Sequence, residues 1–235
     1  MKARFAFDSS LTAFLRRERR GGAFEFDCAR AATLKNAIEA LGVPHTEVGA
    51  LTVNGLPATL QRIVREGDQV EVEASKSGSG RDLRFVADAH LGGLARFLRM
   101  LGFDTLYDNA FADEAIRQLA YEEKRVVLTR DRELLKCREI VHGAYVRALK
   151  PEAQLAEVAR RYTLSEAARP FTLCLRCNVL LHPVERAAVA PRVPRAVYAL
   201  HERFMRCPGC EGVFWPGSHY RRMREALRSA VLEPR

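Results

Sequence analysis

No run of apolar residues in this 235-residue chain is long enough to span a bilayer, although 48% of its side chains are hydrophobic. That apolar content is enough for more than one core, so two or three small domains are expected. The opening MKARFAFDSS reads as a strand and not as a secretory or transit leader, so the expected setting is the reducing cytoplasm. P-loop and GxGxxG fingerprints are missing, as is any Ser-His-Asp arrangement, which removes several common phosphate, dinucleotide and acyl-transfer sites. Lysine is scarce too, at six of the 38 basic residues. Arginine is the better fork for phosphate, but a genome-wide codon bias produces the same skew.

Six cysteines are present, and four of them form two CxxC pairs. Cys174 and Cys177 stand in LCLRCN, Cys207 and Cys210 in RCPGCEG, with 29 residues between the pairs. Two such turns facing each other supply the four-sulfur shell that tetrahedral zinc prefers. Disulfides, a dithiol redox centre and an iron-sulfur cluster compete with zinc, and a reducing compartment favours structural Zn²⁺. Pro183, Pro191 and Pro194 between the pairs predict loops more than a long helix. His182, His201 and His219 are expected beside the site or on the surface, since four thiolates already complete the shell.

The formal charge of +9 is unevenly carried. Residues 1 to 75 are neutral, whereas residues 151 to 235 hold fourteen Arg against eight Glu. A partner bearing phosphate is the natural inference, with RNA contacts expected from Arg221, Arg222 and Arg224 on a C-terminal helix and from Arg130 beside Asp131. Trp215 and Tyr220 could stack on bases or build the small core of the cysteine module. Protein partners through the first domain are a further possibility that the sequence leaves open, as is the oligomeric state.

Three modules are expected within an α/β fold. Residues 1–75 alternate as strands around the helix TLKNAIEALG, with Thr33 as its N-cap and Gly42 past its end. LTVNG and REGDQVEVE supply a turn and two more strands. This strand, strand, helix, strand, strand order is that of a β-grasp unit. Residues 76–82 read as a flexible tether. Residues 83–165 then alternate strand and helix: LRFVA, a leucine stripe ending at Gly102, FDTLY, DEAIRQLAYEEK, RVVLT, a helix from about Asp131, AYVRAL and PEAQLAEVARRY. Such alternation predicts a parallel sheet with right-handed crossovers, and residues 166–235 hold the cysteine module and a basic helix.

Ligands of an open parallel sheet bind beyond the carboxyl ends of its strands. Asp88 follows the first strand of the central module, Asp108 the second and Asp131 the third, while Asp113 opens the helix after the second. Asp104 begins a strand and is expected at the opposite edge. Helix capping is the competing role for Asp113 and Asp131. A carboxylate cluster is self-repelling unless cations compensate, and hard oxygen ligands hold Mg²⁺ or Mn²⁺, which can activate water for phosphoryl displacement. His90, adjacent to Asp88, could orient water or phosphate.

FVADAHLGGLARFLRMLGFDTLYDN, DEAI, VVLTRDREL, LCLRCN and RCPGCEGVFWPGSHYRRM, in that order, resemble the PIN-like RNase family named after the C-terminal domain of the Mut-seven exonuclease. The resemblance covers about residues 83 to 228. It implies a metal-dependent ribonuclease whose acids are Asp88, Asp113 and Asp131, with Asp104 also matching a family motif. Glu114, beside Asp113, is an alternative helix acid, since helix starts read from sequence are uncertain by about one residue. It also implies a zinc ribbon after the nuclease core and a ubiquitin-like domain before it. LTVNG and REGDQVEV further resemble ubiquitin-like sulfur carriers, but those end in Gly-Gly, and here the last strand runs on through Glu73 and Ala74. Two other readings use the same residues: a non-catalytic RNA or ribosome adaptor, and a sulfur-transfer accessory protein. With neither basic surplus nor Gly-Gly end, the first domain is expected to be dispensable to a chain starting near Arg81.

Overall fold

The structure is a computed structural model that describes residues 1–76, 82–228 and 231. The expected tether therefore lies, at residues 77–81, outside the described residues. The chain divides into two compact units, Met1–Ser77 with Ala112–Tyr145, and Gly78–Phe111 with Val146–Arg235. It is a mixed α/β protein: ubiquitin-like at its N-terminus, parallel-stranded in the middle, and closed by a cysteine cluster. No helix among the described residues is long and apolar enough to cross a membrane.

In the first unit, strands β1 (Lys2–Phe7) and β2 (Phe24–Asp27) are followed by helix α1 (Leu34–Ala40) and by β3 (Val48–Val53), β4 (Leu56–Ala58) and β5 (Gln69–Ala74). They form one sheet in the order β2-β1-β5-β3-β4, with β1 and β5 parallel. Thr33 caps α1 by accepting from the Asn36 N–H. Asn54 and Gly55, both at positive φ, make the tight turn between β3 and β4, a strand beyond the four expected. Alternation along β1 and β5 sends Phe5, Val70 and Val72 into a core with Leu34, Ile38 and Leu51. Asp68 is the knot of the REGD turn. It accepts from Arg62, Asn54 and the Arg65 N–H, and the Arg62 guanidinium holds its carboxyl below the usual range.

The same unit contains residues from the middle of the chain, where β8 (Val126–Thr129) and β9 (Gly143–Tyr145) pair in parallel. Upstream of them, in the second unit, β6 (Phe85–Ala87) leads through helix α2 (Gly92–Met100) to β7 (Thr105–Leu106), again a parallel pair. Helix α3 (Asp113–Glu123) precedes β8, and α4 (Pro151–Tyr162) follows β9 with Pro151 at its first position. The stripe on α2 behaves as its 3.6-residue period requires: Leu91, Leu94, Leu98 and Leu101 are buried. Gly102 (φ +91°) ends it, where an added Cβ would stand 2.3 Å from the Arg169 carbonyl. The helix expected from Asp131 is instead a single 3₁₀ turn at Leu134–Lys136. Asp131 accepts from the Glu133 N–H, and that local turn competes with helix continuation.

Residues 132–145 are fastened to the ubiquitin-like fold. The buried Glu47 carboxylate accepts from the Tyr145 N–H at 2.7 Å, and His45 bonds the Glu39 carboxylate through Nδ1 and the Ile140 carbonyl through Nε2. Arg132 donates to the Phe14 carbonyl and lies over the rings of Phe14 and Tyr145, which meet edge to face at 5.3 Å. These contacts argue against a dispensable first domain, because removing it strips donors and acceptors from the segment that follows Asp131. Glu47→Ala should destabilise the protein by about 1–3 kcal/mol, the cost of orphaning a buried N–H. Hydrogen exchange at the Tyr145 amide checks this: it should speed up well before exchange in α1 does.

The C-terminal region is small and looped. Strands β10 (His182–Val184), β11 (Phe204–Arg206) and β12 (Val213–Phe214) form an antiparallel sheet in that order. The short helices α5 (Arg186–Val189) and α6 (Arg195–Leu200) lie between β10 and β11, and α7 (Ser218–Leu227) follows β12. Val189, Val193 and Phe204 form the buried centre, against which Trp215 packs. Tyr220 meets Phe171 at 4.3 Å. Both aromatics with a candidate stacking role therefore have structural contacts.

Candidate metal centre and carboxylates

The two CxxC turns have the same local build. In each, the residue after the second cysteine turns left-handed, Asn178 (φ 58°) and Glu211 (φ 59°), and its N–H returns to the carbonyl of the first cysteine, at 2.9 and 3.0 Å. One turn precedes β10; the other lies between β11 and β12. The Sγ atoms of Cys174, Cys177, Cys207 and Cys210 all lie within 4.8 Å of one another. Cys174 and Cys210 are 3.8 Å apart. A tetrahedron with Zn–S bonds of about 2.3 Å has edges of about 3.8 Å, so the cluster has the size that zinc requires. No histidine joins this cluster among the described residues.

Four thiols this close cannot all ionise without a cation. Hydrogen bonding to Cys210 and burial push the Cys177 thiol up to about 12, and burial raises Cys174. Burial also opposes ionisation of Cys207, yet N–H groups of Cys210 and Gly209, with neighbouring thiols, bring it down to about 7. A bound dication reverses this balance by holding all four as thiolates. Glu211 braces the second turn by pairing with Arg192 and Arg206.

A buried polar joint connects the first turn to β7. Arg99, on α2 and 7% exposed, donates through Nε to the Thr105 carbonyl at 2.8 Å and through Nη1 to the carbonyls of Leu175 and Arg176 at 3.1 Å. Asn178 accepts from the Thr105 N–H at 2.9 Å and donates to the Asp104 carboxylate at 2.5 Å. Burial pushes the Arg99 pKa down, while the charges of Asp104, Cys174 and Cys177 act the other way. Asp104 thus stands at the amino end of β7, engaged with the cysteine turn. Neither Arg99 nor Asn178 was singled out from sequence; an arginine inside a leucine stripe was the available signal for the first.

The other acids occupy strand ends or a helix start. Asp88 follows β6 directly and accepts from the Ala89 N–H at 2.6 Å. Asp108 follows the adjacent parallel β7 and accepts from the Ala110 N–H at 2.8 Å. Tyr107, next to it, donates to the Ala89 carbonyl at 3.0 Å, so these two strand ends are tied together. Asp131 lies two residues beyond β8, its own N–H donated to Thr129 Oγ1. Asp113 is the first residue of α3, whose N-cap is Ala112. Its carboxylate makes no hydrogen bond or ion pair among the described residues. Glu114, exposed, pairs with Arg117. His90 is exposed. Arg221, Arg222 and Arg224 are exposed on α7, and Arg130 is half-buried after β8.

A model described as the Mut7-C RNAse domain matches residues 83–227, and one described as Mut7-C ubiquitin matches residues 1–78. The chain belongs to the Mut7-C RNase family. No curated protein and no solved structure matched it. The first match takes in Asp88, Asp104, Asp108, Asp113, Glu114 and Asp131 and all four clustered cysteines, and the family points to nuclease-like activity.

Cys210→Ser should abolish tight zinc retention and unfold the ribbon cooperatively, because metal binding at such sites is coupled to folding. Metal analysis of the purified protein, with thiol titration before and after unfolding, reads both effects. Arg99→Met removes a buried charge and leaves three carbonyls without that donor. It should cost about 2–4 kcal/mol while the four cysteines remain, a loss measurable by chemical denaturation.

Proposed function

We propose that the protein is a metal-dependent ribonuclease that hydrolyses RNA phosphodiester bonds, with Asp88, Asp113 and Asp131 as its Mg²⁺ or Mn²⁺ ligands and Asp108 beside them. The observation that carries this reading is the RNAse-domain match over residues 83–227, within which Asp88, Asp108 and Asp131 each sit just past the carboxyl end of a parallel strand. Hydrogen bonds from the Ala89, Ala110 and Glu133 N–H groups fix the carboxylates, and fixed ligands are what an octahedral Mg²⁺ site demands. A metal bound there would supply Lewis-acid charge to the phosphate and lower the pKa of a water. The domains we assign are residues 1–75, ubiquitin-like; 83–165, PIN-like nuclease; and 166–235, a zinc ribbon whose arginines hold RNA.

Asp104 is placed outside the metal site because Asn178 engages its carboxylate at the other end of β7. Glu114 is the weaker helix acid because Arg117 already pairs with it. Cytoplasmic location and a protein partner for the first domain complete the reading.

An Asp→Asn change at position 88 or 131 keeps an oxygen for the local N–H and removes only the charge. Each variant should therefore fold with near wild-type stability and lose about a hundredfold or more of its Mn²⁺-dependent cleavage rate. Cleavage of a mixed RNA pool under limiting Mn²⁺ measures the rate; thermal unfolding without metal measures stability. Wild-type rates in both variants, under conditions where chelation silences the native protein, would falsify the proposal. Asp104→Asn should instead lower stability with little change in metal dependence.

A further inference from the structure

Helices α2 and α7, both in the second unit, line one open groove of about 470 Å³. Gly93, Arg96, Phe97 and Met100 line it from α2. From α7 come His219, Arg222, Met223 and Ala226. Both sets follow the i, i+3, i+4, i+7 spacing of a single helix face, so each wall carries an arginine and, next to it, an apolar side chain at the same place. Pro151 and Glu152 complete the lining, and Gly93 allows α4 to approach: a Cβ there would lie 2.6 Å from Pro151 Cγ.

The floor and the rim differ in chemistry. Met100 is buried and Phe97 and Met223 are half-buried, whereas Arg96 and Arg222 are exposed. Neither guanidinium makes a hydrogen bond or ion pair among the described residues. An apolar ligand would leave both cations idle, and a free phosphate would leave the floor unused. Single-stranded RNA presents anionic phosphates and flat bases together, which is the pattern that basic grooves with apolar platforms bind.

We propose that this groove is a track for single-stranded RNA, with Arg96 and Arg222 holding phosphates and Phe97, Met100 and Met223 receiving a base. His219 adds a donor at the α7 wall, and Glu152 keeps the far side from binding anions indiscriminately. Asp88 precedes Gly93 by five residues, so a strand held along α2 runs towards the carboxyl end of β6. The choice of ligand rests on the ribonuclease reading, whereas binding is independent of cleavage.

The test uses the full-length, zinc-loaded chain without added Mg²⁺ or Mn²⁺ and a fluorescent 12-nucleotide oligouridine, with anisotropy followed across a salt series. Arg96→Glu/Arg222→Glu should weaken binding at least tenfold and flatten the log K against log salt plot by about 1.4, since each single-strand phosphate contact contributes about 0.7. The charge-matched Arg30→Glu/Arg65→Glu, on exposed positions of the other unit, should leave the slope unchanged. If the groove reversal fails to fold, Arg96→Gln/Arg222→Gln replaces it and should show the same loss of slope. A folded groove variant with wild-type affinity and slope, or a native protein that does not bind the oligonucleotide, overturns the track and leaves the groove to an acidic protein segment. Cleavage of the same RNA is scored separately with Mn²⁺. Groove-dependent binding without cleavage keeps the track and removes the ribonuclease reading; cleavage with unaltered groove-variant binding removes the track alone.

Discussion

A guanidinium held away from water has to find acceptors, and Arg99 finds them in Thr105, Leu175 and Arg176. One side chain on α2 thereby sets the distance from β7 to the first cysteine turn. Burial works against its charge, and the negative charge of Asp104, joined by Cys174 and Cys177 when these are thiolates, is what makes that charge tolerable. A zinc tetrathiolate would carry a net charge of about −2, so a cation beside it is stabilising on the same grounds. The dependence is mutual. Zinc-held thiolates would give the arginine its counter-charge, and the arginine fixes the carbonyls of the turn that would hold the metal.

The ubiquitin-like domain enters through a comparable constraint. Glu47 is buried and aimed at the backbone of Tyr145, and the guanidinium of Arg132 lies between two rings and a carbonyl. Asp131 directly precedes that anchored arginine. A loop fixed on one side by Thr129 and on the other by Arg132 has little freedom to move the Asp131 carboxylate, and the metal-ligand role proposed for Asp131 would need such support. Here the first domain supplies part of it without needing a Gly-Gly end.

Strongly periodic segments were the legible ones. The leucines of α2, the alternation in β1 and β5 and the Thr33 cap all follow from local sequence, and so does the pairing of CxxC turns. What escaped prediction is long-range and polar. Nothing local to His45, Glu47 or Arg132 announces partners roughly 100 residues away, and an arginine in a leucine stripe reads as a surface residue until the acceptors around it are known. The helix assigned from Asp131 failed for a local reason: the aspartate bonds the backbone two residues on, and its turn wins over helix propensity. At Asp104 a family motif and strand direction point to different roles. Strand direction placed it at the amino end of β7, and Asn178 gives it work there.

Capping and metal binding make different demands on Asp88, Asp108 and Asp131. Each accepts from a nearby N–H, a task that asparagine or serine performs about as well as aspartate at such positions. The hydrogen bonds therefore account for the oxygen but not for the charge. Asp88 and Asp108 follow the tied ends of two parallel strands, so two carboxylates stand at one edge. Asp113 adds an ionisable group at a helix start where no hydrogen-bond partner is present among the described residues. The helix dipole repays that with only about 0.3–1 kcal/mol. On the proposed reading a divalent cation would be held by several fixed, ionised oxygens, a requirement that turns and caps alone do not impose.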